Sequence, residues 1–333
     1  MNFKGIDICC PHCRAELDQP HVSALVCRDC RHEFPILLGI PDLRVFPDPY
    51  IGIEEDRAKA ARLGERFSDF DFGGFVDFYY ANTSVVPLQH ARLYKRGLLA
   101  APARAENWLG SWQAEGSVRG EALLDVGCGT APLLSVANRF RTRVGVDIAF
   151  RWLVVAKKRL AERGLDLPLI CACAEALPFR DEVFDHAVAD STIEHLRDQG
   201  KGLAEVHRVL RPGGRLMLST PNRFSIGPDP HTGVWAGTWL PKQWTAALVR
   251  KAGGIPPVRK LLSVFALRNL LHDARFRNVL ISLPGMPPKQ RAHFSPLLRA
   301  VIAVYDVLRR LPVSRHLLYL FGPLLQATGT RNE

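Results

Sequence analysis

The chain has 333 residues, 47% hydrophobic and 23% charged, the balance of an ordinary globular protein long enough for one large domain with an appended module. No run of about 18 uncharged apolar residues offers a transmembrane helix, and the opening Met-Asn-Phe-Lys-Gly-Ile-Asp lacks the apolar stretch of a signal peptide, so the expected compartment is the reducing cytoplasm. The net charge of +11 is lopsided: residues 251–333 hold thirteen Lys or Arg against Asp273, Asp306 and Glu333, which points this quarter toward something anionic.

The first feature in chain order is a run from residue 9 to 34 with five cysteines and three histidines. In a reducing compartment, Cys10-Pro-His-Cys13 and Cys27-Arg-Asp-Cys30 read as two metal-binding knuckles, thirteen residues apart, closing one tetrahedral thiolate site. Four thiolates leave no open position, so a Zn2+ held there is structural. A module of about 45 residues needs such a staple because it buries too little apolar surface alone. A redox or disulfide pair is the competing reading. Cys9 is expected to stand aside unless it replaces Cys10, and His12, His21 and His32 are expected outside the ligand set. "RHEFPILLGIPDLR" then predicts a strand, a turn at Gly39 and a short strand ending at Pro41. The stretch from Cys10 to Leu43 resembles the small zinc-ribbon family that accompanies methyltransferases, as a separate activating subunit or fused to them.

From Glu54 to about Trp112 the pattern is helical and amphipathic, as for a linker or a lid. Short apolar runs then alternate with helices, the mark of a parallel sheet covered on both faces. Strands are expected near 122–126, 143–147, 167–172, 184–190, 214–220, 278–283 and 319–328.

The first of these strands enters "LLDVGCGTAPLL", a glycine turn at the first switch-point position of a doubly wound sheet. Pro132 stands where a dinucleotide fingerprint has its third glycine, and Asp125 would repel a pyrophosphate, so a ligand presenting an ammonium group is the better match. Asp147, at the tip of the next strand, is placed to accept both hydroxyls of a ribose. With "CACAEALPF", "FDHAVADSTIEHL" and "EVHRVLRPGGRLMLSTPN" following in order, residues 120–222 resemble the class I S-adenosylmethionine-dependent methyltransferases, in a broad group that includes quinone-biosynthesis O-methyltransferases. The resemblance continues loosely to the end of the chain.

That resemblance implies a seven-stranded Rossmann-like α/β sheet with its last strand antiparallel, beside a small zinc ribbon and a helical linker or lid. It also implies that Gly127, Cys128 and Gly129 wrap the methionine part of S-adenosyl-L-methionine, that Asp147 with Ile148 meets the ribose, and that Ala174 and Glu175 lie beside adenine. The backbone at Asp190 would face the amino group and the transferring methyl. Cys173 departs from the family, which usually has an aspartate there to accept from the adenine amino group; one such bond is worth about 0.5 to 1.5 kcal/mol.

Methyl transfer from a sulfonium is an in-line displacement in which positioning dominates, but a hydroxyl acceptor must also lose its proton. His195 is the candidate base, against the plainer reading that it caps a helix or packs on the sheet. Ser191 occupies the place where metal-dependent relatives carry another acid, so no metal is assigned at this point. The insertion at about 222–264 is expected to form the substrate wall, with Asn222, Arg223 and His231 touching the acceptor and Trp235 and Trp239 covering its apolar part, against the plainer reading of a structured loop whose prolines and tryptophans simply pack. The expected division is therefore a ribbon over 1–45, a helical linker or lid over 46–115 and a methyltransferase domain over 116–333.

The function expected is O-methylation of a small-molecule or lipid-linked acceptor by an S-adenosylmethionine-dependent enzyme (EC 2.1.1.-). The basic C-terminal region includes "SPLLRAVIAVYDVLRRLPVSRHLLYLFGPLL", with Leu298, Ile302, Tyr305 and Leu308 near one helical face; it either packs on the sheet or touches an anionic membrane from the cytoplasmic side. Two other readings stay open. One is an RNA methyltransferase acting on a guanine ring nitrogen, less favoured because "DSTI" lacks the Asn- or Asp-Pro-Pro-aromatic pattern; the other is a non-catalytic cofactor-binding or methyltransferase-activating partner.

Overall fold

The computed structural model describes residues 1–83, 88–114, 120–227, 234–251, 255–256, 258–286, 291 and 296–332. At the N-terminus a small hairpin, β1 (Asn2–Phe3) and β2 (Ile6–Asp7), precedes an antiparallel sheet of β3 (Leu17–His21), β4 (Ala24–Cys27), β5 (Glu33–Leu37) and β6 (Ile40–Pro41). The expected turn at Gly39 is present, with φ of 71°. Three helices follow: α1 (Ile53–Glu65), α2 (Phe72–Ala81) and α3 (Leu88–Ala114).

The remaining strands are β7 (Ala122–Val126), β8 (Thr142–Asp147), β9 (Leu169–Cys171), β10 (Phe184–Asp190), β11 (Leu210–Pro221), β12 (Arg277–Ser282) and β13 (Leu324–Thr330). They form one sheet in the order β12-β13-β11-β10-β7-β8-β9. All neighbours run parallel except β13, which is antiparallel to both β11 and β12. The fold class expected from the sequence is therefore the one observed. Between the strands lie α4 (Phe150–Ala161), α5 (Gln199–Val209), α6 (Lys242–Lys251), α7 (Val264–Asp273), α8 (Pro296–Leu308) and α9 (Pro312–Phe321).

One strand boundary needs correction. The last strand was expected from 319, but Pro312–Phe321 is helical and the strand begins at Leu324. A short apolar run such as "HLLYLF" has no decisive period, and the arbiters are the proline at the first helical position and the Gly322-Pro323 stop.

The ribbon is fastened to the large sheet rather than tethered beside it. Asp42 bridges Cys171 in parallel, the Leu43 amide donates to the Cys171 carbonyl at 2.7 Å, and the Cys9 amide donates to the Pro178 carbonyl at 2.9 Å. The chain leaving β6 thus continues the sheet beyond its β9 edge. Leu17, Leu25, Phe34 and Leu43 share one buried cluster with Val146, Ile170 and Phe179, so the same apolar burial stabilises ribbon and sheet together.

Candidate functional site

A cleft opens at the carboxyl ends of the central strands, where a doubly wound sheet presents its switch point. Its wall starts at Val126 and Gly127 and includes Asp147, Ile148, Ala174 and His195. Gly127 has φ of 72°, and a Cβ there would lie 2.2 Å from the Thr192 hydroxyl, so only glycine lets the two turns meet. Thr192 Oγ1 in turn donates to the Val126 carbonyl at 3.1 Å. Gly129, with φ of 51°, has nothing within 4 Å of an added Cβ, which leaves its backbone open to a ligand. Cys128 is buried and its amide donates to the Val146 carbonyl at 3.0 Å, so its side chain belongs to the core.

Asp147 is held by two amides: Oδ2 accepts from Gly129 at 2.8 Å and Oδ1 from Ala149 at 2.8 Å. Each oxygen keeps further acceptor capacity toward the cleft. Burial pushes its carboxyl up to about 6. Asp125 is also pushed well above the ordinary carboxylate range, by burial first and then by the charges of Asp190 and Asp147. A cation bound among these acids would favour their ionised forms. Asp190 itself accepts from the Ser219 hydroxyl on the neighbouring strand.

On the adenine side of the expected site, Ala174 and Glu175 line the cleft. The Glu175 carboxylate accepts from the amides of Arg197 at 2.8 Å and Asp198 at 3.2 Å, so it braces the start of α5. Cys173 points elsewhere: its thiol donates to the Phe46 carbonyl at 3.6 Å.

That contact belongs to a wall absent from the sequence reading. Phe46, Asp48, Pro49 and Tyr50, the strap that leaves the ribbon, line the same cleft. The Arg197 guanidinium stacks on the Phe46 ring at 4.2 Å and donates to the Pro47 carbonyl at 3.0 Å. Tyr50 Oη accepts from the Val258 amide at 2.8 Å. The Val258 carbonyl, 3.2 Å from His195 Nδ1, fixes the imidazole at the cleft. Burial, ahead of all other influences, lowers the His195 pKa below its usual 6.5. Beside it Glu194 is fully buried; Oε2 accepts from the Thr220 hydroxyl at 3.1 Å, whereas Oε1 has no partner among the described residues, and burial pushes this carboxyl up to about 7.

The described residues expected to touch the acceptor stand outside this cleft. Asn222 is fully buried and donates to the carbonyls of Tyr319 and Leu320, at 3.2 and 3.0 Å, so it ties α9 to the end of β11. Arg223 donates to the Thr238 carbonyl, and Trp235 is exposed; neither lines the cleft. Trp239 stacks on Phe321 at 6.0 Å. His231 lies outside the described residues.

At the other end of the strap, Cys10, Cys13, Cys27 and Cys30 gather with their sulfurs all within 4.8 Å of one another. The Cys10–Cys30 and Cys13–Cys27 sulfur separations are 3.6 and 3.4 Å. Disulfides need about 2.05 Å, whereas four thiolates on a zinc stand about 3.8 Å apart. The donor set fits Zn2+. His12 and His32 stack on each other at 4.2 Å, outside it.

Comparison with known proteins agrees with this geometry. Residues 124–218 match the family described as Methyltransferase domain. A ubiquinone biosynthesis O-methyltransferase of Cereibacter sphaeroides is 34% identical over 155 residues, 42% of this chain and 63% of that protein. The match thus spans just under two thirds of that relative's length. A ubiquinone/menaquinone biosynthesis C-methyltransferase of Klebsiella pneumoniae is 30% identical over 173 residues, 48% of this chain and 68% of the relative. Among solved structures, a SAM-dependent methyltransferase from Thermotoga maritima aligns over 73% of this chain and 97% of its own, at 18% identity and a TM-score of 0.46.

Proposed function

The chain belongs to the class I S-adenosylmethionine-dependent methyltransferases, and from that premise we propose that it methylates an oxygen of a small-molecule or lipid-linked acceptor, with His195 as general base. Bound S-adenosylmethionine supplies an electrophilic methyl group on a positively charged sulfur. Asp147 would accept the ribose hydroxyls on the lone pairs left by Gly129 and Ala149. A cation bound beside Asp190 would offset the burial that keeps a proton on Asp125, so the two acids together suit the ammonium and sulfonium charges. Phe46, Tyr50 and Leu196 narrow the cleft and exclude water from the displacement.

The observation that carries the oxygen assignment is the His195 contact. With the Val258 carbonyl accepting from Nδ1–H, the lone pair resides on Nε2, the tautomer a base needs to take a hydroxyl proton. Relatives named for O- and for C-methylation are both similar to this chain, and a catechol-type hydroxyl of a quinone precursor is the acceptor class that uses such a base. Zinc in the ribbon is assigned a structural role, and the ribbon, linker and catalytic domain are read as 1–45, 46–115 and 116–333.

The test is calorimetry with S-adenosylmethionine, followed by methyl transfer to a panel of catechols with the product's methylated atom located by mass spectrometry. Asp147→Ala should weaken cofactor binding about 100-fold, the loss of two charge-assisted hydrogen bonds. Methyl found on carbon, or on no catechol, would sink the oxygen reading.

A further inference from the structure

Helix α8 is apolar on two sides. Leu298, Ile302, Tyr305 and Leu308 are half-buried and Asp306 is buried among them, while Leu297, Val301 and Val304 are 77%, 41% and 58% exposed. Spaced by four and then three, these residues form a single outward stripe. The inner side is fixed by polar contacts: Asp306 pairs with Arg291 and, at 2.6 Å, with Arg309, and the Tyr305 hydroxyl donates to the Pro284 carbonyl at 2.9 Å. Rolling the valines inward would break the Asp306–Arg291 pair and the Tyr305–Pro284 hydrogen bond.

The surface continues beyond α8. Leu311 joins the two helices and is exposed, and α9 contains no buried residue and shows Val313 and Leu317 to solvent. Helix α6 likewise buries none of its residues and leaves Trp244 61% exposed. The Trp239–Phe321 stack brings the chain before α6 against the end of α9. Exposed apolar area on this scale marks an interaction surface.

Charge identifies the partner. Arg299, Arg310 and Arg315 are exposed around the stripe, and the sequence has no acid from Val234 to His272. The acid of α8 is buried against two arginines. A second copy of the chain would bring the same cations against these, across a symmetric contact. RNA would match the cations and leave the valines and leucines without a counterpart. An anionic bilayer offers both headgroup charge and an acyl boundary.

We propose that α6, α8 and α9 form a docking surface for the anionic face of a lipid bilayer. The surface adjoins the cleft's end of the sheet: Asn222 ties Tyr319 and Leu320 to the carboxyl end of β11, beside the Ser219 that contacts Asp190. Delivery of a lipid-linked acceptor from that bilayer rests on the function proposed above; the docking surface does not.

The full chain should co-sediment with vesicles of phosphatidylcholine containing about one third phosphatidylglycerol, and about tenfold less with phosphatidylcholine alone. A Val301→Asp/Val304→Asp variant should lose about tenfold or more in vesicle affinity, with unchanged melting temperature and cofactor affinity. Arg310→Glu and Arg315→Glu should each weaken it at least about fivefold. The proposal is overturned if wild type ignores the mixed vesicles, if the paired aspartates leave binding intact, if they convert a wild-type dimer to monomer, or if the chain is retained on RNA and not on vesicles. Failure of wild type to bind S-adenosylmethionine would instead count against the proposed function and leave the vesicle result standing.

Discussion

Asp56 Oδ2, on helix α1, accepts from the backbone amide of Phe150 at 2.8 Å, so the linker caps the helix that starts three residues after Asp147. Ala149 at the N-cap offers no side-chain acceptor of its own. The same carboxylate also takes Arg44 at 2.8 Å and Arg151 at 2.9 Å, and all three side chains are buried. Asp56→Ala should lower unfolding stability by about 1 to 3 kcal/mol, because it uncaps α4 and takes one carboxylate partner from each of two buried guanidinium groups, which keep Asp42 and Asp48. Urea denaturation measures the loss, and wild-type stability in the variant would exclude this network as the clamp between linker and sheet.

Glu194 gives a pH signature. Its folded-state pKa is pushed from 4.5 to about 7 by burial, so the folded chain keeps a proton that the unfolded chain releases between those values. The corresponding stability is fully present below pH 4.5 and is lost as pH rises through 7. Glu194→Gln keeps an acceptor for Thr220 and removes this dependence. Its stability relative to wild type should rise across that window by on the order of 3 kcal/mol. Asp147 shifts in the same direction, so the difference between variant and wild type isolates Glu194. Parallel stability-against-pH curves would contradict the assignment.

His195 should appear in the rate. Because burial lowers its pKa, the ring is neutral at neutral pH, and kcat/KM for a hydroxyl acceptor should rise with pH through an apparent pKa below 6.5 and then level off. His195→Gln should remove that limb and reduce kcat by about 100-fold or more while sparing cofactor affinity. An unchanged profile would make His195 a packing residue.

The ribbon's metal should be felt at the cleft. Cys13→Ser, or chelation, should release one zinc per chain and unfold the backbone at the surface residues Arg14, Arg28 and Arg31, making it cleavable by trypsin. Since the strap from Phe46 to Tyr50 begins where the ribbon ends, affinity for S-adenosylmethionine should fall about tenfold or more in the same sample. Metal analysis, proteolysis and calorimetry on one preparation test this; full protease resistance and unchanged cofactor affinity after the zinc is removed would refute it.

The parts of the site readable in the sequence were those whose chemistry is local. The two Cys-x-x-Cys pairs carry their own spacing, and Gly127 and Asp147 sit at strand ends that hydrophobic runs locate. The strap has no such signal. Its contacts join Phe46 to Cys173, Pro47 to Arg197 and Tyr50 to Val258, residues 127, 150 and 208 positions away. Asn222 misled for a related reason: a polar residue after the fifth strand suits a substrate rim until α9 returns and places two carbonyls against it. Only the folded topology distinguishes these roles.

The order in which a ribosome delivers these pieces gives the Asp42–Cys171 bridge a further meaning. The ribbon emerges before the sheet: the strand edge that receives it comes 129 residues later, and the Glu205 that pairs with Arg14 comes 191 later. At ordinary synthesis rates of about 5 to 20 residues per second, the nascent ribbon waits about 6 to 26 seconds for the strand edge that receives it. Through that interval only its own thiolate centre can hold it together. Metal supply during translation would therefore set the yield of native enzyme, and cells short of zinc should accumulate chains whose β9 edge is left unpaired and prone to aggregate.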